Sequence, residues 1–577
     1  MPFPLRQWKT ASGDDAAAGA LARSLDLPSA MARLLTARGL RAPAAAEKFL
    51  HPRLSEMSDP FELPGMTEAV DRIQKAIQTK EPLALFGDYD VDGVTGVALL
   101  ATVLRRFGVE PACFLPSRFD DGYGLTTTAL RRCLETHRPA LLLTVDCGTN
   151  SAAQVDEARQ AGVDVVVTDH HEPSGDLARP TALVNPVMGG TPATRDLAGV
   201  GVAFKLCHAL VKRALKEGWP NAARIDLREW LDLVAVGTVA DVVPLRGENR
   251  ILVRHGLGYL EQTRRVGLEA LCEVSGLDTE INCYHIGFVL GPRLNAAGRL
   301  ASAEDALTLL ITEDRDHAWA LAQRLDQANR ERKRIEDAIR EEAEAELDVH
   351  FDGERDFGLV AARRGWHVGT IGIVASRLCA RYGRPTVVVA IDDEGRGRGS
   401  ARSVEAVDVV GVLNRCAPLL LTYGGHQMAA GLSLAEENIA EFRRQFNALC
   451  AGKLQGADLR PVQRVDAWVN LGEADRDLYT AMANLNPVGL GNPAPAWGAR
   501  AVRPVGPPTR VGKDGAHLKM TLAAGATQIE AIAFGMGKND LPSGPLDVVF
   551  KLEEDSYQGR RKLVLHIQDL APSGRMA

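Results

Sequence analysis

Three short apolar runs in this chain each end in acidic or imidazole side chains, and that repetition constrains its fold more than any other feature. Pro82-Leu-Ala-Leu-Phe-Gly87 leads into Asp88-Tyr-Asp90-Val-Asp92-Gly93. Ala140-Leu-Leu-Leu-Thr-Val145 leads into Asp146-Cys-Gly148, and Val163-Asp-Val-Val-Val-Thr168 into Asp169-His170-His171. Apolar runs of this length predict strands buried on both faces, as in a parallel sheet. Such sheets bind ligands outside the carboxyl ends of their strands. The three polar tails are therefore expected at one edge, where carboxylates and imidazoles suit a hard divalent cation. A metal-dependent hydrolase is the leading expectation.

At 577 residues the chain has room for roughly three or four domains. The fold class is α/β, with five expected segments. Residues 1–80 read as a helical region packed on the catalytic domain, and 81–312 as that domain, alternating strands and helices in βαβ fashion. Residues 313–350 keep one apolar stripe (Leu321, Leu325, Ala328, Ile335, Ile339) amid charged runs, which predicts a solvated connecting helix. Residues 351–452 form a second, smaller α/β domain. From 453 to 577, short strand-like pulses between glycine-rich turns predict a small β-barrel of the OB type.

The net charge of −7 announces no nucleic-acid partner, so any such contact must rest on local patches. The barrel segment 456–577 has 14 Lys/Arg against 13 Asp/Glu, which leaves both DNA binding and protein docking open for it. Nine scattered cysteines without a CxxC pair read as reduced core residues. No apolar run approaches the ~18 residues of a membrane span, and Met1-Pro-Phe-Pro-Leu-Arg6 lacks a signal core. A cytoplasmic protein without membrane contact is expected.

Each polar tail also has a plainer reading. Asp88-x-Asp90-x-Asp92-Gly93 begins like a calcium loop, but the twelfth position is Leu99 where an EF-hand needs a bidentate Glu. An Asp/Gly turn with solvated carboxylates is a fair reading of one such motif, and Asp146 alone could be a helix N-cap. Recurrence at three strand ends weakens both. Two adjacent histidines after a β-run point to opposite sides, so one can ligate a metal while the other faces substrate. Asp241, in Val236-Gly-Thr-Val-Ala-Asp241, places a carboxylate in an apolar stretch, where a cation is the simplest compensation.

These four motifs, in this order, resemble those of the DHH phosphoesterase superfamily. The likeness extends to Leu115-Pro-Ser-Arg118 with Gly122-Tyr123-Gly124, to Leu197-Ala-Gly-Val-Gly-Val-Ala-Phe-Lys205, and to Gly291-Pro-Arg-Leu-Asn-Ala-Ala-Gly-Arg299. Trp366-His-Val-Gly-Thr-Ile-Gly-Ile-Val-Ala-Ser376, Arg398-Gly-Ser-Ala-Arg-Ser403 and Tyr423-Gly-Gly-His426 resemble the DHHA1 domain. The whole order is similar to the superfamily's exonucleases specific for single-stranded DNA, which digest from the 5′ end.

That resemblance implies two Mg²⁺ or Mn²⁺ ions. Asp90, Asp146, His170 and Asp241 would hold one, and Asp88 with bridging Asp146 the second. Phe86 stands where many members have a histidine ligand, which weakens the second site. Asp92 would organise the loop, Asp169 would orient the histidines, and His171 would face the scissile phosphate. Arg118, Ser400 and Arg402 would hold the 5′-phosphate, because a guanidinium fork with a hydroxyl suits phosphate oxygens. Arg293, Asn295 and Arg299 would line the strand path, and Tyr123 would also bind substrate. His426, beside Gly424 and Gly425, would approach from the second domain. The family further implies single-strand binding protein and a helicase as partners, and a monomer. Two rivals stand beside this reading: a superfamily enzyme for short oligonucleotides or cyclic dinucleotides, and a non-catalytic replication scaffold.

Overall fold

The computed structural model describes residues 5–117, 124–278, 280–300, 303–557 and 560–574. The chain forms two compact units. One comprises Met1–Met57, Pro244–Arg254 and Arg460–Ala577, and the other Ser58–Val243 with His255–Leu459.

The second unit contains a five-stranded parallel sheet in the order Ala112–Phe114, Leu83–Gly87, Leu141–Val145, Asp164–Thr168, Ala182–Val184. Leu83–Gly87 and Leu141–Val145 are buried throughout, as their unbroken apolar character predicts. The register decides where the polar tails fall. Gly87 lies opposite Val145, and Val145 opposite Thr168, so Asp88, Asp146 and Asp169 follow at neighbouring positions on the carboxyl edge. Backbone bonds continue past the strand ends, from Asp146 N to Thr168 O at 2.9 Å and from Asp169 N to Val184 O at 3.1 Å. The helices Val91–Arg106, Gly199–Lys216 and Leu231–Ala240 pack on one another beside this edge.

The connecting helix is Arg315–His350, with Asp314 as N-cap accepting from the amides of Asp316 and His317. Its Glu336 is fully buried and paired with Arg332 and Arg377, each at 2.7 Å. It leads to a mixed sheet in the order Thr422–His426, Ala429–Ala435, Arg396–Arg402, Thr386–Ile391, Leu359–Arg364, in which only the last two strands run parallel.

In the first unit, five strands close into a barrel: Trp497–Pro504, Leu546–Tyr557, Arg560–Pro572, Thr527–Ala533 and His517–Ala524, which returns to the first through Arg503–Ala523 and Pro504–Leu522. Closure removes the exposed edges that short strands would otherwise present. The helices Asp15–Leu25, Ser29–Ala37 and Pro43–Leu50 share one core with it, where Leu21, Met31, Leu34 and Leu35 join Trp497, Phe550 and Leu565.

This corrects the expectation that all of 1–80 packs on the catalytic domain. Its last part packs there: Ser58 accepts from Lys205, and the turn Pro60–Glu62 and the helix Met66–Thr79 lie against Gly199–Lys216. The earlier helices belong with the barrel because Gln7–Thr10 pairs in parallel with Val462–Val465, and because Arg250 donates to the carbonyls of Phe49, Asn484, Leu485, Asn486 and Pro487. Neither contact has a local sequence signature. Among the described residues no helix is long and apolar enough to cross a membrane.

Candidate metal centre

The site is built by the ends of three neighbouring strands and the termini of three helices. Asp88 follows the strand Leu83–Gly87 and is fully buried. Asp90 caps the helix Val91–Arg106, its carboxylate accepting from Asp92 N at 3.0 Å and Gly93 N at 3.2 Å. A Cβ on Gly93 would fall 2.4 Å from the Asp88 carbonyl, so the glycine permits this tight turn. Asp92 is buried and accepts from Gly199 N at 2.6 Å and Val200 N at 2.9 Å, joining the starts of two helices. Its bonds thus tie the Asp88–Gly93 loop to the start of the helix Gly199–Lys216.

Asp146 adopts a left-handed backbone with φ of 62°, which turns its carboxylate into the cluster. Asp241 caps the C-terminus of Leu231–Ala240 and is only partly buried, so its apolar sequence neighbourhood is a helix interior. Among the described residues, three groupings hold ligand atoms within 4.8 Å of one another: Asp88 with Asp90 and Asp146, Asp92 with His170 and Asp241, and Asp146 with His170 and His171.

Hydrogen bonding shows what this cluster lacks. Asp88 Oδ1 and Oδ2, Asp146 Oδ1, His170 Nε2 and Asp241 Oδ2 are buried with no hydrogen-bond partner. His170 Nε2 lies 3.0 Å from Asp146 Oδ1 and 3.6 Å from Asp241 Oδ2. Buried acceptors left without donors cost free energy, and buried like charges cost more. A divalent cation supplies the missing positive charge for all of them, so this donor set fits Mg²⁺ or Mn²⁺.

The titration behaviour agrees with that fit. Burial, then the charge of Asp90, pushes Asp88 up to about 8 and Asp92 up to about 7. Burial, then Asp92 and Asp90, pushes Asp241 up to about 9, and burial with the same neighbours raises Asp146 well above the carboxylate range. His170 is lowered to about 4, chiefly by burial, so near neutral pH it is an uncharged imidazole with a lone pair to donate.

Its neighbour behaves oppositely. Burial works against charge on His171, but a 2.7 Å bond from Nδ1 to Asp169 and the surrounding carboxylates raise its pKa. Burial would likewise raise Asp169, yet bonds from His171 and Thr149 hold it well below the usual range. Asp169 also accepts from the amides of His170 and His171 at 2.7 and 3.1 Å, so it orients both histidines.

The DHH family, N-terminal domain, matches residues 82–238, the DHHA1 domain 356–452 and the RecJ OB domain 465–569. The single-stranded-DNA-specific exonuclease RecJ of Bacillus subtilis is 36% identical over 98% of this chain and 71% of its own length. That of Dickeya dadantii is 36% identical over 95% of this chain and 96% of its own. This chain belongs to the RecJ family.

A crystal structure of RecJ in complex with Mn²⁺ from Thermus thermophilus superposes with a TM-score of 0.83 at 31% identity, covering 98% of this chain and 79% of that one. A second, of exonuclease RecJ bound to manganese, gives 0.60 at 35% identity over 70% of this chain and 99% of that one. The side chains of Asp88, Asp90, Asp146, His170 and Asp241 all fall within the three groupings of neighbouring ligand atoms. Phe86 is fully buried and stacks on Phe114 at 5.3 Å, an apolar wall beside Asp88 in place of a ligand.

The expected substrate residues fare differently. Arg118 and Tyr123 lie outside the described residues, as does the side chain of Arg299. Ser400 and Arg402 do come together: Arg402 Nη1 donates to Ser400 Oγ at 3.0 Å. A Cβ on Gly372, in the first turn of the helix Ile371–Tyr382, would lie 3.1 Å from Ser400 Oγ and 3.2 Å from Arg402 Nη2. Both polar side chains therefore lie against the first turn of that helix.

Arg293 is reassigned, since its Nε and Nη2 bond Asp326 at 3.0 and 2.9 Å and its Nη1 bonds the Val289 carbonyl at 2.7 Å. Those bonds fasten it to the protein instead of freeing it for a strand path. Asn295 is half-buried on the same helix. Gly424, Gly425 and His426 lie on the exposed strand Thr422–His426. Gly425 has φ of 145° and no room for a Cβ, which would meet the Ala429 carbonyl at 2.4 Å, so its glycine serves the hairpin.

Two contributors had no assigned role in the sequence. Asn185 donates to Thr149 Oγ1 and to the His171 carbonyl, both at 2.9 Å, and nothing local marks it. Gly199 lies in the Leu197–Lys205 motif, and a Cβ there would fall 2.6 Å from Asp146 Cβ and 2.7 Å from its Oδ1. Gly199→Ala should therefore displace the Asp146 carboxylate. We expect activity to fall on the order of a hundred-fold while the chain stays folded, read by steady-state nuclease rates beside a thermal melt.

Proposed function

We propose that this protein is a Mg²⁺- or Mn²⁺-dependent exonuclease that hydrolyses single-stranded DNA from the 5′ end to 5′-mononucleotides, in recombination and repair. The observation that supports it most is the cluster of buried, partnerless acceptors at the carboxyl edge of the parallel sheet. When bound there, the metal lowers the pKa of a water nucleophile and offsets charge on the phosphate. The chain's own residues do the rest. Neutral His170 and the carboxylates of Asp88, Asp90, Asp146 and Asp241 hold the ions. Asp169 bonds His171 at Nδ1 and favours its protonated form, so the ring serves as a proton donor to the scissile phosphate or the leaving oxygen.

Ser400 and Arg402 bind the 5′-terminal phosphate, which sets the direction of digestion. Arg402→Ala should weaken binding of 5′-phosphorylated strands by roughly ten- to a hundred-fold while leaving 5′-hydroxyl strands little changed. Fluorescence anisotropy with both end types checks this, and equal losses on both would remove the phosphate pocket. The reading extends to a cytoplasmic monomer working beside single-strand binding protein and a helicase.

The activity itself is tested by digesting 5′- and 3′-labelled single strands and duplexes with Mg²⁺, Mn²⁺ or EDTA. Mononucleotides released first from the 5′ label of single strands, only with metal, are expected. Preference for a dinucleotide over a long strand would favour the small-substrate rival, and no hydrolysis with tight protein binding the scaffold.

A further inference from the structure

Near the metal centre, the second unit presents two large aromatic side chains to solvent. Tyr284 is 63% exposed and Phe288 71%, yet their rings stack on each other with centroids 4.9 Å apart at 26°. Four residues apart, they occupy one helical face. Large apolar side chains exposed together mark a binding surface more often than chance exposure does.

The backbone beneath them is specialised. Phe288 sits in a π-helical turn, Ile286–Leu290, between the short helix Cys283–His285 and the helix Gly291–Leu300. Such turns widen the helix and occur frequently at functional sites. Arg293 holds this one, bonding the Val289 carbonyl on one side and Asp326 of the connecting helix on the other. The pair is thus fixed before any ligand arrives.

Its position is defined by two close approaches. The π-helical turn packs against Leu231–Ala240, the helix that ends in Asp241. A Cβ on Gly291 would lie 3.5 Å from Ala240 Cβ, and one on Gly298 3.2 Å from the carbonyl of Tyr89, between Asp88 and Asp90. The helix following the aromatic pair therefore runs from the Asp241 flank of the metal centre to its Asp88–Asp90 flank.

We propose that Tyr284 and Phe288 form a stacking ledge for bases of the single strand entering on the Asp241 flank. This rests on the nuclease reading and names a substrate contact within it. Exposed, pre-stacked rings beside a phosphodiester-cleaving centre offer what an unpaired base lacks in water, a flat apolar face. Stacking is indifferent to base identity, because every base has a π-face, and an enzyme that removes each nucleotide in turn needs that tolerance. A duplex has its base faces already covered, so the ledge also favours single strands.

The test is anisotropy of a labelled single strand, protected by phosphorothioate linkages, on the full-length protein with Mn²⁺. Tyr284→Ala/Phe288→Ala should bind roughly ten-fold or more weaker, and Phe288→Trp should retain affinity. A strand with consecutive abasic sites should bind the unaltered protein weakly and be nearly insensitive to the double substitution. Unchanged affinity of the double variant for the intact strand would overturn the ledge and leave the surface to a protein partner. Equal losses on intact and abasic strands would overturn it too, showing a structural role. Binding is read without turnover, so failure of the nuclease activity and failure of the ledge register separately.

Discussion

Asp146→Asn should lose activity by on the order of a thousand-fold or more, while the metal-free protein becomes more stable than the parent near pH 8. The opposed signs come from one cause. Asp146 Oδ1 lies 3.0 Å from His170 Nε2, and the residue faces Asp88, Asp90, Asp92 and Asp241, so it belongs to both halves of the cluster. With cation present, its charge would anchor both halves. Without cation, burial and the neighbouring carboxylates oppose that charge, and the proton the folded state takes up to remove it costs more as pH rises. Asparagine is the right replacement because it tolerates the φ of 62°, whereas alanine would add backbone strain. Nuclease rates with Mn²⁺ and thermal melts in EDTA check the two halves. Near-normal turnover, or a lower melting temperature in EDTA, would contradict the assignment.

The second large effect is a pH dependence that reverses the usual one. In the metal-free fold, Asp92, Asp88 and Asp241 titrate at about 7, 8 and 9, against about 4 in an unfolded chain. Their folded pKa values are raised, so the folded state retains protons that the unfolded state has released. Stability from these groups is full below about pH 4 and is lost as pH rises through 7 to 9. Melts in EDTA should therefore drop by several degrees between pH 6 and 9, and the stabilisation added by Mn²⁺ should grow over the same range. A metal-free melting temperature that is flat or rising across that window would contradict the buried-carboxylate account.

How far the sequence foretold this site depends on the range of each interaction. The strand ends at Asp88, Asp146 and Asp169 were legible because runs buried on both faces carry a pattern of their own, and register then aligned the tails. The connecting helix was legible from its apolar stripe, its true start falling at Arg315 after the Asp314 cap. The N-terminal helices were misplaced because their partner, the barrel, lies more than 400 residues away in sequence, as the Gln7–Val462 pairing shows. The partner of Arg293 was hidden for a related reason: the resemblance placed it on the strand path, but Asp326, which it bonds, sits on another helix. Gly199 and Asn185 were invisible because steric room and amide orientation leave no mark in residue type.

The central claim is that Asp146, His170, Asp241, Asp88 and Asp90 converge to hold divalent metal. Anomalous diffraction from crystals grown with Mn²⁺, collected at the manganese edge, tests it most directly. The account predicts a peak within coordination distance of Asp146 Oδ1, His170 Nε2 and Asp241 Oδ2, and strong loss of that peak in Asp146→Asn. Well-ordered side chains with no peak between them would contradict it.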